Sequence, residues 1–112
     1  MEKRHMKAIN ILDRNGTPVT VGAKVMVQRC VGRYGRVDQV EGTIEQFVEH
    51  HGAVLRLNQP ARRRMRDHEV WVKPGEQLYV SFPGKLDGDS LTCFNRFEDF
   101  EHGHETWVQV IQ

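Results

Sequence analysis

At 112 residues, with 38% hydrophobic and 28% charged side chains, the chain has the size and composition of one soluble globular domain. No apolar run approaches the ~18 residues of a membrane span, and the polar start Met1-Glu2-Lys3-Arg4-His5 lacks the apolar segment of a secretory leader. The net charge of +1 argues against a generic nucleic-acid binder.

The charge is unevenly spread. Residues 1–66 carry 13 Lys/Arg against 6 Asp/Glu, a balance of +7, and residues 67–112 carry 3 against 9, a balance of −6; the two sum to +1. Such a chain folds either into a dipolar molecule with a basic face for phosphates or into one whose two halves neutralise each other. Cys30 and Cys93 form no C-x-x-C pair, and they read as two inert thiols of a reduced, cytoplasmic protein.

Turn residues punctuate the chain at short intervals, and the pieces between them alternate with period two. Lys7–Leu12 is a first strand, ended by Asn15-Gly16 and Pro18, where Gly tolerates positive φ and Pro presets φ. Ala23–Arg29 puts Val25 and Val27 on one face and Lys24, Met26 and Gln28 on the other, the pattern of a half-buried strand. Gly32–Gly35 is a Gly-bounded loop. Arg36–Glu49 reads as one long strand with Gly42 at a bulge or bend. Its segment Gln39–Val48 also has fair helical propensity, but Gly42 and the β-branched residues favour a strand.

His50–Gly52 turns the chain and Ala53–Asn58 returns it. Gln59–Glu69 reads as a loop, with four arginines in five positions: Arg62, Arg63, Arg64 and Arg66. Glu69–Lys73 and Leu78–Phe82 are strands on either side of a Pro74-Gly75 turn, and the turn-rich Pro83–Ser90 follows. Leu91–Phe97 and Thr106–Gln112 close the chain around an acidic loop. About seven short strands at spacings of roughly 8–12 residues predict an all-β barrel or sandwich, as a single domain over 1–112.

The stretch Val21–Val37, VGAKVMVQRCVGRYGRV, resembles the KOW-type motif of SH3-like barrels: a G-x-x-V-x-V strand, a Gly-containing loop, then G-x-V entering the next strand. Gly22, Val25, Val27, Gly35 and Val37 take those positions, with Gly35 in the tight turn and the valines packed inside. The resemblance implies an SH3-like small barrel with additional C-terminal strands. Domains of this kind often bind RNA, DNA or ribonucleoprotein, although a fold does not fix a function.

The arginine loop is the first candidate site. Guanidinium groups present planar forks of donors that match phosphate oxygens. Arg29, Arg33 and Arg36 lie in or beside the Gly loop, with Tyr34 between them as a stacking platform for a base. The competing reading is a solvated loop that pairs with the acidic tail.

His50, His51, His102 and His104 lie beside carboxylates, but their spacing matches no metal signature and both clusters fall in turns, so no metal or other cofactor is expected. There is no G-x-S-x-G, phosphate-cradling Gly loop or H-E-x-x-H, and lone thiols in strands read as core, so no enzymatic activity is expected.

Trp71, Tyr79, Phe82, Phe94 and Trp107 read as core aromatics. Phe97 and Phe100, with Asp99 and Glu101, form an acidic edge with apolar anchors suited to a basic protein partner. The leading expectation is a non-enzymatic module that binds RNA, DNA or a ribonucleoprotein through Arg29, Arg33, Tyr34, Arg36, Arg62, Arg63, Arg64 and Arg66. The alternative is a small interaction or inhibitory factor, such as mobile elements carry, that uses Phe97, Asp99, Phe100 and Glu101. Thr106–Gln112 has no Pro or Lys to protect a sheet edge, which points to a homodimer through that strand.

Overall fold

The computed structural model describes residues 10–31, 36–48, 52–82, 84–96 and 105–111, with the backbone alone at Val31, Arg36, Arg64, Asn95 and Arg96. Every regular element among them is a strand, so the all-β expectation holds: β1 Asn10–Leu12, β2 Lys24–Val31, β3 Arg36–Val48, β4 Gly52–Leu57, β5 Ala61–Arg64, β6 Glu69–Val72, β7 Gln77–Ser81, β8 Lys85–Asp87, β9 Ser90–Thr92, β10 Phe94–Arg96 and β11 Glu105–Val110. Among the described residues, no helix is long and apolar enough to cross a membrane.

The main sheet has six strands in the order β10-β11-β2-β3-β4-β7; β1-β9-β8 and the β5-β6 hairpin complete the fold. The long strand β3 organises the main sheet. Its first part pairs with β2 from Arg36↔Val31 to Thr43↔Lys24, and its second part pairs with β4 from Gly42↔Leu57 to Val48↔Gly52. Gly42 therefore sits where both neighbours flank β3. A Cβ there would lie 2.7 Å from the Arg56 carbonyl oxygen, so only glycine fits this approach. The bulge itself is displaced from the expected Gly42 to Glu45, where the register shifts between Ile44 and Gln46.

Period-two alternation buries Val25 and Val27 of β2, Val40 and Ile44 of β3, Ala53, Leu55 and Leu57 of β4, Leu78 and Val80 of β7, and Val108 of β11. Ala61 and Val72 from the hairpin, Leu91 from β9, and Val19, Phe82 and Cys93 join the same core. Phe47 meets Phe82 edge-to-face, with ring centroids 6.5 Å apart. Val37, which the KOW-like pattern would pack inside, is 38% exposed.

Among the described residues, the turns expected at Asn15-Gly16 and Pro74-Gly75 form. Gly16, Gly22 and Gly75 all have positive φ, and Pro74-Gly75 is closed by the Glu76 N–H donating to the Lys73 carbonyl at 3.1 Å. Pro83–Ser90, read as turn, contains β8 and the start of β9, joined around Gly88 at φ 61°. Leu91–Phe97, read as one strand, is broken at Cys93 into β9 and β10. The Cys93 N–H donates to the Leu12 carbonyl at 2.8 Å, while its own carbonyl accepts from the Val108 N–H at 3.0 Å. Cys93 thus joins two sheets, whereas Cys30 lies in β2, beyond the intervening β11; both thiols are free.

The exposed-edge reading of Thr106–Gln112 is corrected, because β11 lies inside the sheet between β10 and β2. Past the end of β10 its outer side is closed by the Asn15-Gly16 turn. The Arg14 N–H donates to the Val108 carbonyl at 2.8 Å, and the Val110 N–H donates to Asp13 Oδ2 at 2.8 Å. Asp13 Oδ1 accepts from the Asn15 and Thr17 N–H groups, each at 2.8 Å, so this buried carboxylate both shapes its turn and docks it.

Candidate nucleic-acid interface

The arginine run is not a loop. Ala61–Arg64 forms β5 and pairs with β6 in the register Ala61↔Val72, Arg62↔Trp71, Arg63↔Val70 and Arg64↔Glu69. The Met65 N–H donates to the His68 carbonyl at 2.7 Å and closes the connecting turn, which carries Arg66. The strand forms because Ala61 and Val72 are directly opposed and both enter the core, which anchors one end of the ribbon. The turn end of the ribbon, residues 65–68, is exposed to solvent, as are Arg63 and Trp71. Residues 61–73 carry Arg62, Arg63, Arg64, Arg66 and Lys73 against Asp67 and Glu69, or 5 − 2 = +3.

The arginines differ in what they touch. Arg29 lies on the core side of β2, half-buried, and closes its fork on the cross-strand Asp38, with Nε to Oδ1 at 2.7 Å and Nη2 to Oδ2 at 3.1 Å. Its Nη2 also donates to the main-chain carbonyl of Arg62. Arg29 therefore ties the hairpin to the main sheet. Arg62 donates to Glu69 Oε1 at 3.3 Å, and its guanidinium carbon lies 5.4 Å from the centroid of the Trp71 ring. Arg63 is exposed and donates to the Gln77 carbonyl of strand β7 at 3.0 Å; Arg66 is exposed at the turn.

Arg64 and Arg36 have backbone positions in β5 and β3. Arg33 and Tyr34 lie outside the described residues, as do Phe97, Asp99, Phe100 and Glu101 and the histidines His50, His51, His102 and His104. The described residues hold no cluster of three or more His, Cys, Asp or Glu suited to a metal ion.

Two of the expected core aromatics are on the surface. Trp71 is 65% exposed and Tyr79 49%, whereas Phe82 is buried. The sequence Glu69-Val70-Trp71-Val72 is apolar at three successive positions, so alternation cannot choose the buried side; the pairing of Val72 with Ala61 turns Trp71 outward. The Tyr79 ring covers Gly52, where a Cβ would lie 2.5 Å from the tyrosine oxygen.

A second polar cluster lies on the outer face of the main sheet. The bulged Glu45 accepts both arms of the Arg56 fork and the Gln77 amide, and Arg56 Nη1 donates to the Gly75 carbonyl at 2.6 Å. The hydrogen bonds from Arg56 and then Gln77 hold the Glu45 carboxyl below its ordinary range. This cluster locks β3, β4 and the Pro74-Gly75 turn together.

No protein-family model, curated protein or solved structure matches the chain.

Proposed function

We propose that the protein is a non-enzymatic binding module that engages nucleic acid, free or in a ribonucleoprotein, through its arginine-rich hairpin. The observation that carries this reading is the exposure of Arg63 and Arg66 on a ribbon with a local balance of +3. Phosphate oxygens suit this surface: they accept from guanidinium forks, and they require no sequence-specific groove contact. Arg62 and Arg64 belong to the same ribbon, and Arg33, Tyr34 and Arg36 are included in the proposal from the KOW-like resemblance of their stretch. Arg29, whose fork is closed on Asp38, supports the ribbon rather than contacting the ligand.

Heparin chromatography and fluorescence anisotropy with mixed-sequence RNA and DNA test the reading. Retention that weakens steeply with salt is expected. The double variant Arg63→Glu/Arg66→Glu should lower affinity at least about tenfold at low salt and flatten the slope of log K against log salt by ~1–2. A wild-type protein that neither heparin nor nucleic acid retains would move the hairpin's role to a protein partner, for which exposed Trp and Arg are also suited.

A further inference from the structure

Trp71 is the largest side chain on the hairpin, and burying an indole is strongly favourable, yet the fold leaves it in water. The core does not use it. Its cross-strand partner Arg62 lies over the ring and is itself held by Glu69, so the indole and the guanidinium form an ordered pair. The exposed Arg66 follows at the turn with the exposed Met65 before it, and Arg63 lies on the opposite face of the ribbon from Trp71.

Resting on the binding function proposed above, we propose that this ribbon takes single-stranded nucleic acid, with an unpaired base stacked on Trp71 and a neighbouring phosphate held by Arg66 at the turn. Every base has a π-face, so stacking on indole is tolerant of sequence. In a duplex those faces are hidden between neighbouring pairs, and the indole would meet only base edges or sugar. Glu69, on the same face as Trp71, disfavours phosphates directly at the indole and favours the flat surface of a base there. An exposed indole with the exposed Arg66 at the turn of the same ribbon therefore matches an exposed base with a nearby phosphate.

The test is anisotropy at low salt with a mixed-sequence single-stranded DNA and RNA of twelve nucleotides and the matching duplexes, read beside heparin retention. Single strands are expected to bind about tenfold or more tighter than duplexes, within the range that one stacked base contributes. Trp71→Ala should lose about that factor on single strands, Trp71→Phe should recover part of it, and heparin retention should stay unchanged in both. Trp71 emission, measured in a Trp107→Phe background, should quench on adding the single strand. Equal affinity for single strand and duplex, or an unchanged Trp71→Ala, overturns the stacking inference and leaves the phosphate reading standing as long as heparin still binds. Loss of binding to heparin, duplex and single strand alike overturns both.

Discussion

Asp13 is 1% exposed, and its carboxylate accepts three main-chain N–H groups from Asn15, Thr17 and Val110. Asp13→Ala leaves those donors in a site that water must enter, at a cost of about 2–4 kcal/mol read from urea unfolding. Asp13→Asn should recover only part, because one of its two polar atoms becomes a donor facing a donor.

Cys93 is buried beside it. Burial, and then the charge of Asp13, push its thiol up to about 12. The folded thiol therefore keeps its proton where the unfolded one loses it. Stability is full below roughly pH 8.5 and falls as pH rises from there toward about 12. A thiol reagent at pH 8 should titrate no more than one group in the folded protein and two in denaturant.

Glu45 works in the opposite direction. Its carboxyl is held below the ordinary range, so the stabilisation it contributes is present above the usual Glu value and is lost as pH falls through the lowered one. Thermal midpoints measured from pH 6 downward should fall less steeply in Glu45→Gln than in the wild type.

At the scale of elements, strand β3 and the β5–β6 hairpin make opposite demands. A Cβ on Gly42 would meet the Arg56 carbonyl of β4 at 2.7 Å, so Gly42→Ala must push that backbone away and should cost about 1–3 kcal/mol by calorimetry. Gly52→Ala should cost less, because the obstacle is the movable Tyr79 ring. The hairpin is held by Ala61, Val72 and the Arg29 fork. In Arg29→Ala, Asp38 loses its partner and the ribbon its tether. Amide exchange should then quicken in residues 61–72 well before it does in β2–β4.

Much of this was readable locally. The positive φ of Gly16, the turn at Pro74-Gly75 and the inward Val25 and Val27 all followed from residue type and alternation. The β5 strand did not, because successive arginines carry no periodic apolar signal. Ala61 is the one residue of β5 in the core, and only its pairing with the core residue Val72 across the hairpin gives the segment a buried end. The break at Cys93 was also hidden, since Leu91–Phe97 alternates well enough to pass as one strand.

For the whole molecule, one core draws residues from the six-stranded sheet, from the hairpin and from β9. Unfolding should therefore be a single cooperative transition, with far-UV circular dichroism and tryptophan emission tracing coincident curves. Trp71 reports from the hairpin and Trp107, beneath the Arg14 guanidinium at 4.6 Å, from β11, so separated midpoints would mean that the ribbon unfolds on its own. The described ion pairs are local: Lys24–Glu41, Arg29–Asp38 and Arg56–Glu45 join neighbouring strands, and Arg62–Glu69 closes within the hairpin.

The sequence by itself determined the all-β class, most turns and which valines turn inward, because period-two alternation and the φ demands of Gly and Pro act within a few residues. Tertiary structure alone decided that the arginine run would be a strand, that Asp13 would close the flank of β11, and that Trp71 would stay in water. Asp13 depends on a strand 97 residues away, and the other two on the Ala61–Val72 end of the hairpin docking into the core. A strand with apolar residues on both sides is oriented by its partner, and the core had room for Val72 but left the indole outside.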